Sequence, residues 1–277
     1  KSKILHPCNR RGDISMIWKR GWLQAVMLLL SGLLSACNLW GTSMKATEFF
    51  ETEQVRLLEA IQKGDESLAR RILENEDVKL NARGKDDITP LFWLMMQKDH
   101  EAVERALKLG ADPNLKAGNG HNPVTFMAGG NDPEMLQLLL EHGGDPNSKD
   151  ADGEPALFSA IGQERWENIK TLLEYGADPN LTDGPNRSSA HYAAMLNKFE
   201  IVHFLIERGA DYTNRNDAGG DIAWIIHEGL TENLINPDFP SYEWALKVKK
   251  QLQERGVEFP PPSPEEIREQ WKQEGKL

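Results

Sequence analysis

The sequence predicts an all-α repeat solenoid, made of helix-turn-helix units joined by hairpin fingers. Three observations predict it. Gly110-Ala111-Asp112-Pro113-Asn114 returns as Gly143-Gly144-Asp145-Pro146-Asn147, as Gly176-Ala177-Asp178-Pro179-Asn180, and more weakly as Gly209-Ala210-Asp211-Tyr212-Thr213, the four glycines 33 residues apart without slippage. A Glu recurs at the same period as Glu101, Glu134, Glu167 and Glu200, where the free amides of a helix start favour a negative charge. Apolar residues follow each Glu at helical spacing, as in Met135, Leu136, Leu138, Leu139 and Leu140 or Ile201, Val202, Phe204, Leu205 and Ile206.

The upstream half of each unit keeps the same register. It reads Thr89-Pro90-Leu91-Phe92-Trp93-Leu94, then Asn122-Pro123-Val124-Thr125-Phe126-Met127, Pro155-Ala156-Leu157-Phe158-Ser159-Ala160 and Ser188-Ser189-Ala190-His191-Tyr192-Ala193. A Thr-Pro-Leu-His-x-Ala opening at a period of 33 resembles the ankyrin repeat. The resemblance covers residues 50–259 and implies helix pairs whose first helices and fingers line a concave groove. The recurrent Gly then marks the left-handed turn that ends each second helix, a conformation costing a residue with a Cβ roughly 1 kcal/mol or more.

In chain order, residues 1–15 carry no helical or strand periodicity, and Met16 is the expected start. Lys19 and Arg20 precede an apolar run from Gly21 to Leu34, and Leu34-Ser35-Ala36-Cys37 closes it. That order is the order of a secretory signal, and its end resembles the bacterial lipobox. The resemblance implies cleavage of residues 1–36, lipid on Cys37, and an outer-membrane destination because Asn38 rather than Asp follows. An uncleaved anchor over residues 21–40 is the alternative, since about 20 apolar residues span a bilayer. Residues 37–49 then read as a tether.

The first unit, residues 50–86, has helices expected over 55–63 and 67–75. It lacks the Thr-Pro opening and the Gly motif, as a terminal capping repeat does. Regular units follow at 87–119, 120–152, 153–185 and 186–218. The sixth opens with Asp221-Ile222-Ala223-Trp224 but is interrupted by an insertion over residues 229–240, which moves its second helix to about 241–255 and places Gly256 47 residues after Gly209. Two prolines and Phe239 predict that this insertion is docked rather than loose. Residues 260–277 hold a proline turn and Ser263-Pro264-Glu265-Glu266, a capping box for a helix reaching Gln273 that covers the last repeat.

Charge narrows the partners. Lys and Arg number 32 against 43 Asp and Glu, a formal net of −11. Loss of residues 1–36 would remove Lys1, Lys3, Arg10, Arg11, Lys19 and Arg20 against Asp13 alone, so the remainder is more acidic still. Such a chain does not suit nucleic acid, which selects clustered Lys and Arg. A basic protein partner fits, and acidity that only maintains solubility is the alternative. Six units fill the length and leave no room for a catalytic domain.

No His-Glu-x-x-His, Cys-x-x-Cys or Gly-x-Ser-x-Gly pattern is present, so no metal, cofactor, small-molecule substrate or enzyme activity is expected. His191 occupies the Thr-Pro-Leu-His position, where the resemblance implies hydrogen bonds between neighbouring turns. His142 and His203 fall on helix surfaces. The repeated Asp112, Asp145, Asp178 and Asp211 belong to the fold. Candidate partner-binding residues are Trp93, Phe126 and Tyr192 at one shared position, Met96, Gln97, Met195 and Leu196 just after the first helices, Asp150, Asp152 and Asp183 on the fingers, and Phe239 in the insertion. Aromatic residues and Met concentrate in interface cores, and the alternative for the aromatics is packing between repeats.

Lipobox and array together resemble periplasmic immunity lipoproteins encoded beside phospholipase-type effectors of type VI secretion. That resemblance implies a lipid-anchored binder that occludes a basic toxin. Periplasmic ankyrin accessory proteins linked to catalase and oxidative stress are the second reading.

Overall fold

The computed structural model describes residues 44–75 and 77–276. The signal, the candidate lipid site Cys37 and most of the tether lie outside them. Every regular element among the described residues is helical, apart from one isolated bridge between Lys149 and Pro155. Six helix pairs follow one another: α1 (Thr52–Lys63) with α2 (Glu66–Asn75), α3 (Pro90–Met96) with α4 (His100–Lys108), α5 (Pro123–Ala128) with α6 (Pro133–Glu141), α7 (Ala156–Gly162) with α8 (Trp166–Glu174), α9 (Ser189–Met195) with α10 (Phe199–Glu207), and α11 (Ile222–Thr231) with α12 (Pro240–Glu254). A last helix, α13 (Pro264–Gln273), closes the array.

Local chemistry explains where the first helices start. Thr89, Asn122, Ser188 and Asp221 each accept the amide three residues on, and Asn122 forms a reciprocal capping box with Thr125. Loss of one such cap costs about 1 kcal/mol. The second helices end as the glycine pattern predicts. Gly143 sits at φ 88°, and a Cβ there would meet nothing within 4 Å, so conformation rather than crowding selects glycine.

The Gly-x-Asp-x-Asn motif proves to be a ladder between repeats. Asn114 donates from Nδ2 to the Gly143 carbonyl at 2.9 Å and accepts the Asp145 amide on Oδ1 at 2.8 Å. Asn81 does the same for Gly110 and Asp112, and Asn147 for Gly176 and Asp178. Each Asp carboxylate accepts the amide two residues on, as Asp145 does from Asn147 at 2.8 Å. Thr213 holds its own turn through Asp211 in this way, and it stands where the sequence ceases to repeat at 33 residues.

The core runs unbroken through all six pairs. Leu94, Val124, Leu157 and Ala193 from the first helices meet Val103, Leu136, Leu172 and Leu205 from the second, all fully buried. Removing each such aliphatic side chain from water stabilises the array by about 1.5–3 kcal/mol. No single pair could bury these faces alone, which is why the units stack.

The ends depart from expectation in two places. The fold starts at Ala46 rather than Phe50: Ala46–Glu48 forms a 3-10 turn, Ala46 is buried, and the Phe49 carbonyl accepts from Lys85 N at 2.7 Å. Gly84 permits this, because a Cβ there would lie 2.5 Å from that carbonyl. In the insertion it is Ile235, 2% exposed, that docks against Gly229, whereas Phe239 is 60% exposed. The capping box at Ser263 forms as expected, and α13 packs Pro264 and Ile267 over Gly219 in the last finger.

Candidate protein-binding surface

The first helices project one position per unit to the same side, occupied in turn by Trp93, Phe126, Ser159, Tyr192 and Ile225. The structure treats these equivalents differently. Trp93 is only 4% exposed, with the Phe50 ring edge-on at 6.5 Å, and belongs to the packing rather than to a surface. Phe126 is 44% exposed and rests on Phe92, with centroids 5.0 Å apart. Tyr192 is half-buried and stacks on Phe158 of the preceding repeat at 4.4 Å and 10°. Both accessible rings are therefore held from beneath, which lowers the side-chain ordering cost of using them as contacts.

Between these rings the surface dips. A Cβ on Gly129 would lie 3.5 Å from Ser159, and one on Gly162 would lie 3.4 Å from the Tyr192 hydroxyl. The accessible strip therefore runs from Phe126 over Gly129, Ser159 and Gly162 to Tyr192 and Met195, the last 48% exposed. Met96 and Gln97, half-buried, hold the equivalent places near the start of the array. Leu196 lines a depression shared with Phe239, Trp166 and Trp244 at the starts of the second helices, so these two candidates share a different site.

The fingers beside Tyr192 set Asp183 and Glu154 against one guanidinium, with Asp150 and Asp152 in the same hairpin as Glu154. Asp150 accepts the amides of Asp152 and Glu154 at 3.0 Å, and so shapes its own hairpin. Asp183, buried, accepts Arg187 N at 2.8 Å and Arg187 Nε at 2.6 Å. The same Arg187 lies 3.8 Å from Glu154 and 5.8 Å from the Tyr192 ring centroid. Asp183 is thus a structural acid, and the accessible negative charge comes from Asp152 and Glu154. Burial, then the neighbouring Asp150, push the Glu154 carboxyl above the ordinary carboxylate range despite Arg187. Glu154 and Arg187 were not among the candidates from sequence. Each is a single charged residue in a turn, and only the fold places both against Tyr192.

His191 has the structural place expected of it. It is 1% exposed, and Asn216 of the next finger lies 3.3 Å from its Nε2. Burial lowers its pKa to about 4, so the ring is neutral at pH 7.

A family model for ankyrin repeats, in three copies, matches residues 91–183 and 126–216. The first unit and the interrupted sixth fall outside the match, as their lost motifs lead one to expect. Among solved structures the chain is similar to a crystal structure of EF0377, an ankyrin repeat protein, at 23% identity and a TM-score of 0.55, over 74% of this chain and 98% of that one. No curated protein matches. The chain carries ankyrin repeats on an all-α solenoid, an architecture that serves protein interaction.

Proposed function

We propose that this array is a lipid-anchored module facing the periplasm that neutralises a basic, phospholipase-type toxin of type VI secretion by covering its active site. The observation that carries the reading is the strip from Phe126 to Met195, whose rings stand on aromatic supports beside the acidic fingers. Apolar anchors supply the contact, and Asp152 and Glu154 steer a positively charged partner toward it. A chain with a net charge of −11 adds a long-range field of the same sign. The envelope location is supported by the order of Lys19, Arg20, the apolar run and Leu34-Ser35-Ala36-Cys37.

The test is the product of the neighbouring gene. If it is a lipase-like toxin, the purified chain is expected to form a 1:1 complex with it and abolish its phospholipase activity in proportion to complex formed. A lipase-like neighbour that neither binds nor loses activity overturns the immunity reading. A catalase neighbour that binds the same strip would replace it with the accessory role.

A further inference from the structure

The outward faces of the second helices differ along the array. In register, His100, Pro133, Trp166 and Phe199 share one position, and Glu104, Gln137, Lys170 and His203 share another one turn on. Along α4 and α6 the outward groove is polar, lined by His100, Glu101, Glu104, Glu134, Gln137 and Glu141 among others. From α8 onward it becomes aromatic. Two adjoining depressions of about 470 and 550 Å³ share Trp166, Glu200 and Trp244, and the first also holds Phe239 and Leu196. Trp166 and Trp244 are half-buried and Phe239 is exposed. The polar outer faces of the earlier units show that stacking does not demand this, and exposed apolar patches of this kind mark interaction sites.

Rings on this face already serve as seats for cations. The Arg208 guanidinium lies 3.6 Å from the Phe204 centroid and the Lys247 ammonium 3.9 Å from the Trp244 centroid. Among the described residues, no cation of the chain lies over Trp166 or Phe239. The charges of the first depression do not balance either. Glu164 is paired with Lys198, whereas Glu200, exposed and shared by both depressions, has no ion-pair partner among the described residues. Lys170 and Arg208 line the second depression, so the unpaired carboxylate is a feature of the first, where the Trp166 and Phe239 rings carry no cation of the chain.

We propose that the depression bounded by Trp166, Phe239, Trp244 and Glu200 is a second docking site that takes an arginine or lysine side chain from a protein partner. The alkyl stem packs on the rings, the cation meets a ring face, and the charge is met by Glu200. The insertion at 229–240 then has a purpose, since it ends in the exposed Phe239 that walls the site. The inference stands apart from the toxin reading, because the strip around Met195 takes no part in it.

The experiment uses the full chain labelled with 15N at the tryptophan indoles, and acetyl-(Gly-Arg)3-amide as probe. Trp166→Phe and Trp244→Phe assign the two resonances. Both are expected to move saturably with the Arg peptide. Glu200→Gln, at an exposed position, should weaken binding at least fivefold, whereas Glu167→Gln, at the equivalent position one repeat earlier and outside the depression, and Met195→Ala on the strip should not. Four results would overturn the proposal: equal binding of acetyl-(Gly-Gln)3-amide, unchanged affinity in Glu200→Gln, loss of the shifts in Met195→Ala, or shifts that follow protein concentration without peptide, which would make a second copy the occupant.

Discussion

Acidification should destabilise this array through His191. In the native state Asn216 accepts the amides of Ala218 and Gly220 on Oδ1 at 3.0 Å each, which turns its Nδ2 donor toward His191 Nε2. Nε2 must then be the unprotonated nitrogen, and adding a proton would set donor against donor in a buried site. Burial is the largest cause of the low pKa, and Arg187 adds to it. The folded pKa of about 4 lies below the ordinary 6.5, so the unfolded chain binds the proton more tightly. The stability associated with the neutral ring is complete above pH 6.5 and is lost as pH falls toward 4. With 1.36 kcal/mol per unit, the loss relative to neutral pH reaches about 2 kcal/mol at pH 5 and about 3 kcal/mol at pH 4. Urea unfolding followed by far-ultraviolet circular dichroism, at steps from pH 7 to pH 4, measures it against His191→Gln. The variant is expected to be less stable at pH 7, with a gap that narrows by about 2 kcal/mol at pH 5. Glu154 works in the opposite sense, since its raised pKa penalises the charged form and relaxes in acid, but it is common to both chains and cancels. A gap constant with pH would refute the assignment of the buried neutral ring.

Three further outcomes are expected. Replacing Tyr192 and Met195 by Ala should weaken the complex with the partner by ~1–4 kcal/mol, and because Met195 is 48% exposed the single Met195→Ala variant should keep its helical melting curve, so a binding loss that appears only with a melting loss would return these residues to packing. Asn147→Ala removes both rungs between the second and third regular units and should cost about 1–2 kcal/mol in urea unfolding, whereas a neutral effect would mean that water replaces the ladder without loss. Cys37→Ser should abolish incorporation of labelled fatty acid and release the protein from the membrane fraction; unchanged labelling and fractionation would rule out the lipid anchor.

Much of the fold was legible because its chemistry is local. A left-handed turn selects glycine at Gly110, Gly143, Gly176 and Gly209 wherever it occurs, and the Asn ladder reaches only to the next unit, so both survive as a period of 33 in the chain. The capping box at Ser263 needs four consecutive residues and formed as read. The candidate site was legible only in part, because exposure is decided by what a distant segment brings. Trp93 and Phe126 hold the same place in their units, yet Trp93 lies under Phe50 of an end unit that lacks the Thr-Pro opening and the Gly motif, while Phe126 has Phe92 beneath it and solvent above. Trp166 and Phe199 are likewise equivalent, yet Phe199 is fully buried at the start of a helix that α12 covers, and Trp166 walls an open depression. The sequence by itself determined the helix pairs, their order and the turns that join them, since those follow from backbone conformation and hydrogen bonds within about one repeat. Only the tertiary structure decided which aromatic rings and carboxylates face a partner, because solvent access depends on the irregular ends and the insertion, which pack onto the array without repeating it.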